Sequence, residues 1–301
     1  MHERQPTVTL GYLLTLSRPR FWFYLAGPVL VGVAYGASAV SELFAPAAVA
    51  LFAYFLVPAN VYLYGVNDAF DADIDVENPK KTGEQAREAR FRGGGAVAAV
   101  VAACGLAGLA LAGAFAAGAL ALYPNPPAGA TVGPAAWVVA FLALGYAYSA
   151  PPFRLKTVPP LDSVSNGLYV LPGAAAFVAV AGHQPPALAV VGGWLWAMAM
   201  HTFSAIPDIE PDRRAGIRTT ATVLGERRTL AYCGAVWLLA AGAFGLLDWR
   251  GGALLLVYPL LAAGVAATDV AVSRAYWWFP AVNGLVGMVL TLGGLWGVVR
   301  G

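Results

Sequence analysis

Leu51-Phe-Ala-Tyr-Phe-Leu-Val-Pro-Ala-Asn60-Val-Tyr-Leu-Tyr-Gly-Val-Asn67-Asp68-Ala-Phe-Asp71-Ala-Asp73-Ile-Asp75 is an apolar run that closes in the densest acidic stretch of the chain. On a helix, positions 60, 64, 67, 68, 71 and 75 are spaced by three and four and share one face. Asn67, Asp68, Asp71 and Asp75 then aim oxygen ligands at one point, at a helix end and at a membrane surface. Carboxylates so placed repel unless cations neutralise them. Hard oxygen donors suit magnesium, which keeps some of its waters and shares carboxylates with phosphate. Asp73 points away and is expected to be solvated. A plain solvated acidic loop is the simpler reading of any such cluster. A calcium loop beginning at Asp71 is excluded, because Val76 stands where glycine is required and Thr82 where a bidentate glutamate should be.

The rest of the chain supplies the membrane. Its 301 residues are 59% hydrophobic and 11% charged, with mean hydropathy +0.67, where soluble domains run at roughly 45–50% apolar and about 25% charged. Cys104 and Cys233 lie in apolar runs, so no disulfide framework is expected. Arg4, Arg18 and Arg20 precede a first apolar run of spanning length, which reads as a retained helix rather than a cleaved signal. Nine candidate spans follow, at 21–38, 46–66, 95–122, 134–150, 164–181, 187–206, 229–247, 252–270 and 277–299. With the amino terminus in the cytoplasm, 16 of the 18 arginines and lysines fall on the inner side, Arg250 and Arg300 being the exceptions. The positive-inside rule therefore favours nine spans and an outer carboxyl terminus. The expected fold is all-α, one polytopic integral domain over 1–301, with its functional loops on the cytoplasmic side. Glycine and alanine crowd several spans and are read as packing residues. Nothing in the charge pattern points to nucleic acid.

A second acidic cluster follows the sixth span: His201-Thr-Phe-Ser-Ala-Ile-Pro207-Asp208-Ile-Glu210-Pro-Asp212-Arg213-Arg214, with Arg218 shortly after. Asp208 and Asp212 are again four apart. The topology, obtained from basic residues alone, puts this cluster on the same face of the bilayer as the first. Two facing acidic sites imply bridged metals. Lys80, Lys81, Arg87, Arg90, Arg92, Arg213 and Arg218 lie near enough to hold phosphate oxygens, although orientation alone accounts for most of them. His201, inside a span and seven residues before Asp208, is either a functional group or a hydrogen-bonded core histidine.

The pattern Asn67-Asp68-x-x-Asp71-x-x-x-Asp75 with Asp208-x-x-x-Asp212, on these two loops of nine spans, resembles the UbiA superfamily of intramembrane prenyltransferases over the whole chain. Tyr148-Ser149-Ala-Pro151-Pro152-Phe-Arg154-Leu-Lys156 is similar to the Tyr-Ser-x-Pro-Pro segment common in these enzymes. Asn78 to Lys81 and Ala205 to Asp212 are similar to the lycopene elongase branch of C50 carotenoid synthesis. Other branches carry a lysine where this chain has Pro207, and Arg213 or Lys81 are the candidates to replace that cation.

The resemblance implies Mg²⁺ bound by Asn67, Asp68, Asp71, Asp75, Asp208 and Asp212. It implies a diphosphate held by Asn67, Lys81, Arg154, Arg213 and Arg218, and catalysis centred on Asp68, Asp71, Asp208, Asp212 and Tyr148. The donor is then an allylic diphosphate, dimethylallyl diphosphate in the elongase branch, and the acceptor lycopene, whose prenylated tertiary cation loses a proton or takes water. A quinone precursor or geranylgeranylglyceryl phosphate is the alternative acceptor. Of Tyr62, Tyr64, Tyr146, Tyr148, Tyr169, Trp194 and Trp196, about two are expected to shelter the allylic cation through their ring faces. A secondary transporter would place its polar groups at the bilayer midplane instead, on broken helices. A non-catalytic scaffold gives no reason for two facing acidic clusters.

Overall fold

A computed structural model describes residues 9–71, 95–122 and 128–300, and every regular element among them is helical. Asp73, Asp75, Lys80, Lys81, Arg87, Arg90 and Arg92 lie outside the described residues. Eight segments are long and apolar enough to cross a membrane: 46–70, 95–116, 129–149, 161–181, 187–214, 226–247, 249–267 and 272–300. After the short helix α1 (Leu10–Leu16), the first expected span is helix α2 (Trp22–Gly36), which has only 15 residues after a single 3-10 turn at Pro19–Phe21. At 1.5 Å per residue it rises about 22 Å, short of the roughly 30 Å hydrocarbon core, so the described residues hold eight spans of full length and this short one where nine were expected.

Several spans are built in pieces, and the breaks have local causes. The second divides into α3 (Pro46–Leu56) and α4 (Pro58–Phe70), because Pro58 has no N–H to continue the ladder. Asn60 repairs the break. Its side-chain amide donates to the carbonyls of Phe55 and Leu56, both at 3.0 Å, which the interrupted helix leaves without partners. Asn60 therefore belongs to the scaffold, while Asn67 and Asp68 lie on the helix itself and Asp71 just past its end. The span at 161–181 is a composite of α7 (Leu161–Val164), a 3-10 stretch at Ser165–Val170 and α8 (Leu171–Ala181).

Two apolar cores result. The first joins α2, α3, α4, α5 (Gly95–Ala116), α6 (Ala128–Ser149) and α8 around Leu25, Leu51, Phe55 and Phe141, all fully buried. Its helices approach closely because they meet at glycine: a Cβ on Gly32 would lie 2.1 Å from the carbonyl oxygen of Gly173. The second core joins α9 (Ala187–Ser204), α12 (Glu226–Leu247), α13 (Trp249–Leu255), α14 (Val257–Ala267) and α15 (Val272–Arg300). Phe203, Trp237, Tyr258 and Phe279 stack at its centre, with Trp237 and Phe279 centroids 5.8 Å apart and nearly parallel. A cavity of about 970 Å³ takes its walls from both cores.

Candidate active site

The end of α4 brings Asn67 and Asp71 to the cavity, and the break after α9 brings Asp208 to it from the opposite core. Asp208 is the last residue of a 3-10 turn, Ile206–Asp208, that contains Pro207 and leads into α10 (Ile209–Arg214). Both acidic motifs thus contribute to one cavity. Among the described residues no group of three or more histidine, cysteine or acidic side chains converges, and Asp75 lies outside them. Asp212, half-buried one helical turn beyond Asp208, is not on the cavity wall.

Asp68 turns inward, only 1% exposed, and its carboxylate receives a bond from the Arg18 guanidinium at 3.0 Å. Arg18 in turn lies over the ring of Tyr64, 4.5 Å from its centroid, and lines the cavity. Asp71 is clasped by two cations from the turn after α6: Arg154 Nη2 at 3.3 Å and Lys156 Nζ at 2.5 Å. Asn67 is held by Ser149, its amide 3.2 Å from the hydroxyl. So the Tyr148–Lys156 segment orients one member of the first motif and neutralises another.

Arg18 and Arg154 share a feature that no other non-glycine residue described has. Their φ values are 50° and 41°, in the left-handed region. Such backbone costs a side-chain-bearing residue about 1–2 kcal/mol, and here both strained residues carry a guanidinium to a carboxylate of the first motif. Strain concentrated at two arginines that engage one acidic motif is a mark of a built site.

The remaining expected cations are placed elsewhere. Arg213 reaches sideways, donating to the Thr222 carbonyl at 2.9 Å and to Glu210 at 2.9 Å, and does not line the cavity. Arg218 is exposed and also away from it. Of the seven aromatics singled out in the sequence, Tyr64, Tyr148, Tyr169 and Trp196 reach the cavity wall. Tyr62 instead donates to the Leu142 carbonyl, Trp194 to that of Val164, and Tyr146 packs its ring edge-to-face with Phe70. Tyr148 hydrogen-bonds His201, oxygen to Nε2, at 3.1 Å, and both line the cavity.

Two residues of this region escaped the sequence reading. Arg18 looked only topogenic, because it belongs to no motif. Asp162 is 2% exposed and accepts from both the backbone N–H and the hydroxyl of Thr220, at 2.8 and 2.5 Å. It ties α7 to α11 (Thr220–Leu224), the helix that follows the second acidic motif. An acid at the edge of a span was the available signal for it.

A helical membrane protein whose apolar, aromatic-walled cavity ends in paired carboxylates and cations is built to act on a substrate with a charged head and a hydrocarbon tail. The chain belongs to the UbiA prenyltransferase family, which it matches over residues 25–279, and it is a prenyltransferase. It is 63% identical to the lycopene elongase/hydratase of Halobacterium salinarum, over 96% of this chain and 99% of that one. It is 61% identical to the lycopene elongase/hydratase of Haloferax volcanii, over 97% and 91% of the two chains. Its fold is that of a UbiA homolog from Archaeoglobus fulgidus solved with GPP and Mg²⁺, with TM-score 0.69 and 19% identity over 96% of this chain and 99% of that chain.

Proposed function

We propose that the protein transfers a dimethylallyl group from dimethylallyl diphosphate to a terminal double bond of lycopene or a related C40 carotenoid, releasing diphosphate. The observation that carries this reading is the single cavity that has Asn67, Asp71 and Asp208 at its polar end and tyrosine and tryptophan along its walls. At about 970 Å³ it is at the upper end of the roughly 300–1,000 Å³ of ligand pockets, which leaves room for a small donor beside one end of a long acceptor. The choice of acceptor is supported by the two elongase/hydratase relatives, similar over nearly their whole length.

The donor set suits Mg²⁺, since an amide oxygen and two carboxylates facing one cavity are hard oxygen ligands with cations nearby to balance them. Asn67, Asp71 and Asp208, with Asp75 and Asp212 from the same motifs, would hold the metal. When bound, it neutralises the diphosphate as a Lewis acid. Arg154 and Lys156, which clasp Asp71, are placed to turn toward phosphate oxygens as the leaving group gathers charge. Arg18 compensates the buried Asp68 through their ion pair. Lys81, Arg213 and Arg218 remain candidates for the outer rim, and Asp68, Asp71, Asp208, Asp212 and Tyr148 are our assignments for the catalytic set. The ring faces of Tyr64, Tyr148, Tyr169 and Trp196 shelter the allylic cation from water and stabilise it by cation–π attraction. The distribution of basic residues supports an inner amino terminus, an outer carboxyl terminus and a cytoplasmic polar mouth, in the cell membrane.

Expression in a lycopene-accumulating host, followed by mass analysis of the pigments, tests the acceptor. New C45 and C50 species are expected. Unchanged lycopene, with prenylation of a quinone precursor or geranylgeranylglyceryl phosphate, would overturn it.

A further inference from the structure

Addition of an allylic cation to the end of an acyclic carotenoid leaves a tertiary cation, and one proton must leave before the product is neutral. It leaves either from the neighbouring carbon, giving an alkene, or from a water that has bonded to the cation, giving an alcohol. The diphosphate is released separately and at the charged end of the cavity. There, Asp71 is already engaged by Arg154 and Lys156, and Asp68 by Arg18. Elsewhere on the wall one titratable pair stands out. His201 and Tyr148 come from different helices, α9 and the last turn of α6, and face the same cavity. Their rings meet edge-to-face with centroids 5.8 Å apart, and the Tyr148 oxygen is 3.1 Å from His201 Nε2. His201 lies in α9 itself, before the break that carries Asp208. The pair thus stands on the cavity wall beside the first motif, Tyr148 being next to the Ser149 that holds Asn67.

We propose that His201 is the proton acceptor that ends the reaction, working through the hydroxyl of Tyr148. This rests on the carotenoid acceptor proposed above. In the hydration branch a lone pair of water forms the C–O bond to the tertiary carbon. One O–H bond of that water breaks, its proton passing to the Tyr148 oxygen while the Tyr148 proton passes to Nε2 of His201. The sum is tertiary cation plus water plus imidazole giving alcohol plus imidazolium. In the elimination branch a C–H bond beside the cation breaks, its electron pair becomes the new C=C bond, and the proton follows the same route. Both need the imidazole neutral, with its hydrogen on Nδ1 and the Nε2 lone pair toward Tyr148. The imidazolium then loses its proton toward the cavity mouth before the next turnover.

The test uses membranes carrying the full-length protein, supplied with dimethylallyl diphosphate and lycopene. Product formation, the alcohol-to-alkene ratio and the donor KM are measured for wild type, His201→Gln, Tyr148→Phe and the double variant. Glutamine can still accept from the Tyr148 hydroxyl but cannot take a proton, so it separates the chemical role from a packing role. His201→Gln is expected to slow product formation about 100-fold, within the range of general-base contributions, with donor KM within about twofold of wild type and an altered alcohol-to-alkene ratio. The double variant should be no slower than the worse single one, because the two residues act as a unit. A His201→Gln protein with wild-type rate and product ratio overturns the proposal. So does a loss of rate matched by an equal rise in donor KM, or single losses that multiply in the double variant. A wild type that prenylates no carotenoid sinks the acceptor reading and this proposal together, whereas a fully active His201→Gln protein sinks only the proposal.

Discussion

Asp162→Ala removes a carboxylate that the structure uses as a strap. Asp162 and Thr220 are 58 residues apart and 2% and 5% exposed, and the two oxygens of Asp162 receive the Thr220 amide at 2.8 Å and its hydroxyl at 2.5 Å. Alanine leaves both donors buried without their acceptor. Hydrogen bonds to a charged group contribute about 1.5–3 kcal/mol each, so the pair is worth about 3–5 kcal/mol once the desolvation cost of the lost carboxylate is set against it. For a chain of this size about 2 °C of Tm accompanies each kcal/mol, giving a fall of about 6–10 °C. Intrinsic fluorescence of the nine tryptophans in detergent reads the transition. Asp162→Asn retains one acceptor but turns an N–H₂ toward a second donor, and should fall between. Thr220→Ala, which loses only the hydroxyl, should cost about 1 kcal/mol. An Asp162→Ala protein melting within about 2 °C of wild type would refute the reasoning, since buried donors would then be losing an ionised acceptor at no cost.

Arg18→Gln removes the 3.0 Å ion pair to a carboxylate that is 1% exposed, and should destabilise the protein by about 3–5 kcal/mol, with Arg18→Lys retaining more stability in the same melting assay. Arg154→Gln takes one cation from Asp71, and should raise the KM for the allylic diphosphate about tenfold, the equivalent of one charge-assisted bond, in a steady-state turnover assay. Gly32→Leu puts a Cβ 2.1 Å from the Gly173 carbonyl oxygen, whereas Gly27 has open space around it. Size-exclusion profiles should show Gly32→Leu lost to aggregation and Gly27→Leu monodisperse.

The multi-pass, all-helical membrane character was the most legible property, because long apolar runs are written in residue types and survive any uncertainty in span boundaries. The acidic motifs were legible for a related reason: a run such as Asn67 to Asp71 at the end of an apolar helix has few uses. What the sequence could not reveal was how each carboxylate is compensated. Asp68 and Asp71 look alike in spacing, yet one is buried against Arg18 and the other is held at the cavity by Arg154 and Lys156. Those partners come from 50 and 83 to 85 residues away, and helical periodicity carries no information at that range. The same holds for Arg213, which looked well placed by proximity to Asp212 but is drawn aside by Thr222 and Glu210. Span breaks were readable only in part. The span expected over 46–66 breaks at Pro58, and the repair of that break by Asn60 made a residue of the apparent ligand face into a structural one.

The central claim is that carboxylates from both motifs serve one metal-dependent prenyl-transfer site. Its most direct test is the conversion of labelled dimethylallyl diphosphate to a lipid-soluble product by membranes containing wild type, Asp71→Asn or Asp208→Asn, titrated with Mg²⁺. Conversion that depends on Mg²⁺ and falls at least about 100-fold in each variant is the outcome expected of lost electrostatic stabilisation at one shared site. Wild-type conversion by either variant, or conversion that persists undiminished in excess chelator, would contradict it.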